Sequence, residues 1–261
     1  MKKVTSKDGT TIAFDQLGKG SPVILVGGAF QQRASDQRMA QLASLLSHHF
    51  TVINYDRRGR GESTDTQPYV VAREVEDLQA LIDETGGSVF VFGMSSGAVL
   101  ALEAAARGLN IKKLAMYEPP FNTDDNGRAA AKNYTKQLTA LLTENRRGDA
   151  AALAMTTWGT PPQVIEGMRH SPTWSAIESI APTLAYDDAI MGDGSVPTQR
   201  YASITVPTLV IDGGASPMFM HDAAQAIVTA LPNAKRRTLN NQTHAYAPEV
   251  LAPVLEEFFA S

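Results

Sequence analysis

The chain has 261 residues, 43% of them hydrophobic, with 23 Lys+Arg against 27 Asp+Glu and no cysteine. Without cysteine there are no disulfides, no thiolate catalysis and no Cys-based zinc or iron–sulfur sites. A net charge of −4 lacks the basic surface that nucleic acid or an anionic membrane attracts.

The first residues, Met1 to Gly9, carry charge with no apolar run behind them, and no stretch approaches the ~20 apolar residues of a membrane span. The expectation is a cytoplasmic globular protein with a small-molecule substrate, no nucleic-acid or membrane partner, and a monomeric or homodimeric state. Short β-rich runs are predicted at Thr11–Leu17, Pro22–Val26, Phe50–Tyr55, Ser88–Phe92, Ile111–Tyr117, Pro207–Ile211 and Ala234–Leu239. Val23-Ile24-Leu25-Val26 and Val89-Phe90-Val91-Phe92 are continuously apolar, as strands buried on both faces of a parallel sheet are. Helical patterns lie between them at Arg33–Ser47, Val71–Glu84, Ser96–Arg107, Met220–Ala230 and Pro248–Phe259. This alternation predicts an α/β fold with a mostly parallel central sheet and helices on both faces.

The rhythm breaks after the strand ending at Tyr117. From Phe121 to about Ile204 only helical patterns occur, at Tyr134–Thr143, Asp149–Thr157, Pro162–Arg169 and Trp174–Ala181, with turn residues at Gly192 to Pro197. Residues 121–204 are therefore expected to form a helical cap inserted after strand six of a core made of residues 1–120 and 205–261. Insertions at the carboxyl edge of such a sheet commonly cover a site.

Gly93-Met94-Ser95-Ser96-Gly97 matches G-x-S-x-G between a strand and a helix. A sharp strand-to-helix turn there lifts a serine hydroxyl above the sheet edge, and the helix N-terminus directs free N–H groups at a developing oxyanion. Ser95 is the expected nucleophile, since sliding the frame to Ser96 puts Met94 and Ala98 at the glycine positions. Upstream, Gly27-Gly28-Ala29-Phe30 follows an apolar strand. Its glycine-rich turn can present the Ala29 N–H as one oxyanion donor, with the Ser96 N–H as the other.

These residues resemble the α/β-hydrolase superfamily over nearly the whole chain. Asp56-Arg57-Arg58-Gly59-Arg60-Gly61-Glu62-Ser63 is similar to its D-x-R-G-x-G-x-S turn, Tyr117-Glu118-Pro119-Pro120 to the end of its sixth strand, and Pro207 to Pro217 to its seventh strand and the turn beyond. One departure is Gly27, where a histidine usually precedes the glycine. The resemblance implies the α/β-hydrolase fold and a serine mechanism that needs no cofactor and no metal.

Of five histidines, His244 lies in a polar loop after the last strand, the place of the base in the order Ser…acid…His. His48 and His49 end a surface helix, His170 falls in the insertion and His221 starts a helix. The resemblance puts the acid after strand seven, where Ser216 stands instead of aspartate. Some relatives, haloalkane dehalogenases among them, carry a glutamate after strand six, and Glu118 occupies that position. Glu118 is the expected acid; Asp212 at the end of strand seven, or a dyad without an acid, are the alternatives. Asp56 and Arg57 are expected to brace their turn by a salt bridge, and the neighbouring arginines to be mostly solvated.

Phe30, Met94, Trp158, Met218 and Phe219 are expected to line an apolar substrate pocket between cap and sheet. The expected activity is hydrolysis of an ester, thioester or lactone of a small, largely apolar molecule through an acyl-enzyme. The alternatives are a non-hydrolytic lyase or cyclase on the same fold, and a small-molecule-binding protein with an impaired triad.

Overall fold

The computed structural model describes residues Met1–Ser261. Its strands are β1 (Lys2–Thr5), β2 (Thr11–Leu17), β3 (Pro22–Val26), β4 (Thr51–Tyr55), β5 (Val89–Met94), β6 (Ile111–Tyr117), β7 (Thr208–Gly213) and β8 (Ala234–Leu239). They form one sheet in the order β1-β2-β4-β3-β5-β6-β7-β8. Strand β2 pairs antiparallel with both β1 and β4, and every other pair is parallel. All seven predicted strands are present. The unpredicted one, β1, is a polar edge whose Lys2-Lys3-Val4-Thr5 carries a single apolar side chain.

Outside the insertion the helices are α1 (Gln37–Leu46), α2 (Val71–Glu84), α3 (Ser96–Ala106), α10 (Met218–Ala230) and α11 (Pro248–Ala260). Alternate residues of each strand point to opposite faces, and the core divides accordingly. Ile24, Val26 and Val91 join α2, α3 and α10 in one apolar cluster, while Val23, Leu25 and Phe92 join α1 and α11 in another. Continuous apolar strands thus serve two cores at once.

Between β6 and β7 the chain is helical: α4 (Asp125–Thr143), α5 (Arg147–Thr157), α6 (Pro162–Arg169), α7 (Trp174–Ile180), a short 3-10 turn (Ala181–Thr183), α8 (Leu184–Met191) and α9 (Thr198–Tyr201). Helix α4 starts well before the predicted Tyr134 because Asp124 caps it, accepting a 2.7 Å bond from the Gly127 N–H. Its only buried residue is Leu138, so its first half has no apolar period to read. The insertion has its own small core, which includes Leu138, Ala154, Trp174 and Leu184, and the turn at Ala29 and Phe30 packs against it. No helix is long and apolar enough to cross a membrane.

The strand order reverses between β3 and β5. In open α/β sheets the crevice beyond the carboxyl ends of the strands at such a point is where ligands bind. The turns that follow β3, β5 and β6 all open there.

Candidate active site

Ser95 follows β5 with φ 55° and ψ −128°, one of only five non-glycine residues with positive φ. Such a conformation is costly for an L-residue and persists only where its surroundings enforce it. They do so through closeness. A Cβ on Gly93 would lie 2.5 Å from the Ala98 Cα, and one on Gly97 would run into the main-chain oxygens of Val26 and Gly27. Both glycines of G-x-S-x-G are therefore spaces that let β5, α3 and β3 meet. The Ser95 N–H donates to the Tyr117 carbonyl at 2.9 Å, tying the bend to β6.

Gly28 lies against the serine, and a Cβ there would sit 2.9 Å from the Ser95 Cβ. The Gly28 N–H donates to the Gln31 side chain, and Phe30 takes a positive φ of 60° to complete the turn. The N–H groups of Ala29 and Ser96 have no protein acceptor. This leaves two main-chain donors on neighbouring turns, one after β3 and one at the start of α3.

Glu118 follows β6, fully buried and with φ 46°. Its Oε2 lies 2.8 Å from Nδ1 of His244, and its Oε1 accepts the Gly213 N–H at 2.8 Å. A carboxylate only accepts, so this contact puts a proton on Nδ1 and leaves Nε2 of the imidazole free to act as a base. The loop that carries His244 is held from several sides. Its Gln242 carbonyl accepts the Ala215 N–H at 2.8 Å, and its Thr243 carbonyl accepts the Tyr117 hydroxyl at 2.7 Å. Burial, with the neighbouring Glu118 charge, pushes the Tyr117 phenol up, so it stays a donor. Gly213 has no Cβ to collide with the Gln242 carbonyl. One glycine thus holds the carboxylate through its N–H and admits the histidine loop through its missing side chain.

Asp212 is committed elsewhere. It accepts bonds from Arg236 at 2.8 and 2.9 Å and from Thr238 at 3.1 Å, and it lies 2.5 Å from Nδ1 of His221. Ser216 is buried and its hydroxyl has no partner. The structure therefore joins His244 to Glu118 and not to Asp212.

The Alpha/beta hydrolase family model matches residues 23–254. The chain belongs to that family. An α/β hydrolase from Sphaerobacter thermophilus is 53% identical, with a TM-score of 0.88 over 99% of this chain and 100% of that one. A thermophilic esterase from Thermogutta terrifontis (malate bound) has a TM-score of 0.75 over 99% and 97% of the two chains; at 22% identity it attests the fold alone. The uncharacterized hydrolase YraK of Bacillus subtilis is 31% identical over 103 residues. That match covers 38% of this chain and 37% of the relative, little more than a third of its length.

Around this α/β-hydrolase site the apolar side chains divide. Phe30 meets Trp158 edge-on at 5.7 Å between ring centroids, and Trp158, Met218 and Phe219 are exposed. Met94 differs from the expected pocket residue: it is buried in the core cluster shared with α1 and α11. Met94 ends β5 and continues its alternation from Phe92, which puts it on the sheet face covered by α1 and α11.

The turn after β4 also differs from expectation. Asp56 does not pair with Arg57; it accepts the Arg33 N–H at 2.7 Å and the Arg33 guanidinium at 3.3 Å. Arg57, Arg58 and Arg60 are all buried rather than solvated. Arg58 is bidentate to Asp77, at 2.8 and 2.7 Å, and Arg57 to Glu74, both at 2.7 Å. Their carboxylate partners lie in the turn before β2, on α2 and in the insertion, so no local pattern in the turn announces them.

Proposed function

We propose that this α/β hydrolase cleaves an ester, thioester or lactone of a small, largely apolar molecule through an acyl-enzyme. The Ser95 hydroxyl attacks the carbonyl carbon and its proton passes to Nε2 of His244. Glu118, on Nδ1, orients the ring and stabilises the imidazolium that forms. The N–H groups of Ala29 and Ser96 stabilise the oxyanion. The imidazolium then protonates the leaving group as the tetrahedral intermediate collapses. In the second half, water attacks the acyl-serine, giving up its proton to His244 and restoring the free hydroxyl. The observation that carries this reading is the 2.8 Å contact between buried Glu118 and His244, at the end of the strand to which the Ser95 N–H is bonded through Tyr117. No cofactor or metal enters the scheme.

The insertion serves as a cap in this reading. The edge-on Phe30–Trp158 pair and the exposed Met218 and Phe219 form its apolar entrance, which favours an uncharged acyl or ring-bearing group. Turnover of a short-chain aryl ester panel tests the proposal. Ser95→Ala is expected to lower kcat by at least ~10⁴ while leaving the thermal midpoint close to wild type. No turnover of any ester by the wild-type protein would shift the assignment to non-hydrolytic chemistry or to binding.

A further inference from the structure

Between the insertion and the turn after β3 lies a buried charged cluster that the scheme above does not use. Arg60 stands at a position that the D-x-R-G-x-G-x-S pattern leaves open, and it is 1% exposed. Its guanidinium makes three contacts: Nη1 donates to the Gly28 carbonyl at 2.6 Å, Nε to Thr183 Oγ1 at 3.0 Å, and Nη2 to Asp187 Oδ2 at 2.6 Å. Thr183 and Asp187 belong to the insertion, at the 3-10 turn and α8. The other oxygen of Asp187 accepts Arg57 Nη1 at 2.6 Å and the Ser96 hydroxyl at 2.7 Å. Arg57 also donates to the Gly27 carbonyl at 3.3 Å.

The Gly28 carbonyl and the Ala29 N–H belong to one planar trans peptide and point in opposite directions. A cation held 2.6 Å from that oxygen therefore fixes where the N–H points and draws electron density away from it, which strengthens it as a donor to a negative charge. Asp187 balances the buried cation and holds the side chain of Ser96, whose own N–H is the second donor. Burial on its own would raise the pKa of Asp187, but the Arg60 and Arg57 charges outweigh it and hold the carboxyl below its ordinary value. We infer that Arg60 is a positioning residue for the oxyanion hole, polarising the Gly28–Ala29 peptide, and that Asp187 of the insertion completes it by anchoring both Arg60 and Ser96. The insertion would then be part of the catalytic apparatus as well as a cover. The inference rests on the reading of Ser95 as the nucleophile.

The test is the double substitution Arg60→Met/Asp187→Asn, which removes one cation and one anion together and leaves Arg57 paired with Glu74. With p-nitrophenyl butyrate, kcat is expected to fall between ~10-fold and ~10³-fold while KM moves less than ~threefold, as for loss of an interaction made in the transition state. The inhibition constant of an aryl trifluoromethyl ketone, whose adduct carries the oxyanion, should rise in step with the loss of kcat/KM. Arg60→Lys should regain part of the rate, since an ammonium can reach the carbonyl without spanning Thr183 and Asp187 as well. If the double variant does not fold, Thr183→Val, which frees Arg60 Nε and the Ile180 carbonyl but leaves both Nη contacts of Arg60 in place, should show a smaller fall confined to kcat. A folded double variant with kcat within ~threefold of wild type, or a loss confined to KM, would overturn the inference. Failure of wild-type Ser95 to react with a phosphonate would instead overturn the reading on which it rests.

Discussion

Two buried carboxylates end neighbouring parallel strands, and each lies beside a histidine. Glu118, after β6, gives one oxygen to the Gly213 N–H and the other to His244, with no guanidinium in contact. Asp212, at the end of β7, lies beside His221 but is also gripped by both arms of Arg236 and by Thr238. The environments give the two acids different tasks. A carboxylate whose one cation-forming partner is an imidazole has its charge available when that ring becomes protonated. A carboxylate already neutralised by arginine has little left to offer and serves to tie β7 to β8 and α10. Nearness of a carboxylate to a histidine is therefore a poor guide to a catalytic pair; what else the carboxylate holds decides.

Substituting the two acids separates these tasks. Glu118→Gln is expected to lower esterase kcat by ~10²- to ~10⁴-fold, in the range known for losing an orienting carboxylate. Its thermal midpoint should change little, since the amide oxygen can still accept the Gly213 N–H. Asp212→Asn should do the reverse. Unfolding in denaturant should show a loss on the order of 1–3 kcal/mol, because Arg236 and His221 lose their charged partner, while kcat stays within ~threefold.

The contrast also has a pH signature. Burial alone would raise the Asp212 carboxyl, but the hydrogen bonds from Arg236, His221 and Thr238 outweigh it, and the group titrates below its ordinary value. A folded value lower than the unfolded one gives stability that is full above the unfolded value of about 3.9. That stability is lost as pH falls through the folded one. Unfolding free energy of the wild type should accordingly decline below about pH 4 more steeply than that of Asp212→Asn. The smallest effect is expected in the turn after β7, at Ser216. Ser216→Ala removes a buried hydroxyl without a partner, so stability should hold or rise by up to about 1 kcal/mol with activity unchanged.

Local signals disclose one part of this molecule and long-range ones the other. The strands β2, β3, β6 and β8 have the bounds their β-rich runs predict, and the elbow reads directly from G-x-S-x-G because its pattern belongs to one strand–turn–helix unit, although Gly97 makes room for the β3 turn. Glu118 and His244 were readable as types in their loops, but their pairing depends on β6 and β8 being separated only by β7. Serine at position 216 in place of aspartate points to Glu118 only through the family resemblance, and the Asp212–Arg236 contact that removes the rival lies across two strands. The burial of the arginines is illegible locally for the same reason. Charges in a Gly-rich turn look solvated until Glu74, Asp77 and Asp187 arrive from elsewhere in the fold. Met94 was misplaced because composition alone does not say which side of the sheet edge a side chain takes.

The most direct test follows covalent labelling by an aryl phosphonate with time, mapped by peptide mass spectrometry, in the wild type, Glu118→Gln and Asp212→Asn. An adduct on Ser95 is expected in all three, forming at least ~tenfold more slowly in Glu118→Gln and within ~threefold of wild type in Asp212→Asn. No adduct on Ser95, or slowing by Asp212→Asn in place of Glu118→Gln, would contradict the assignment of Ser95, His244 and Glu118.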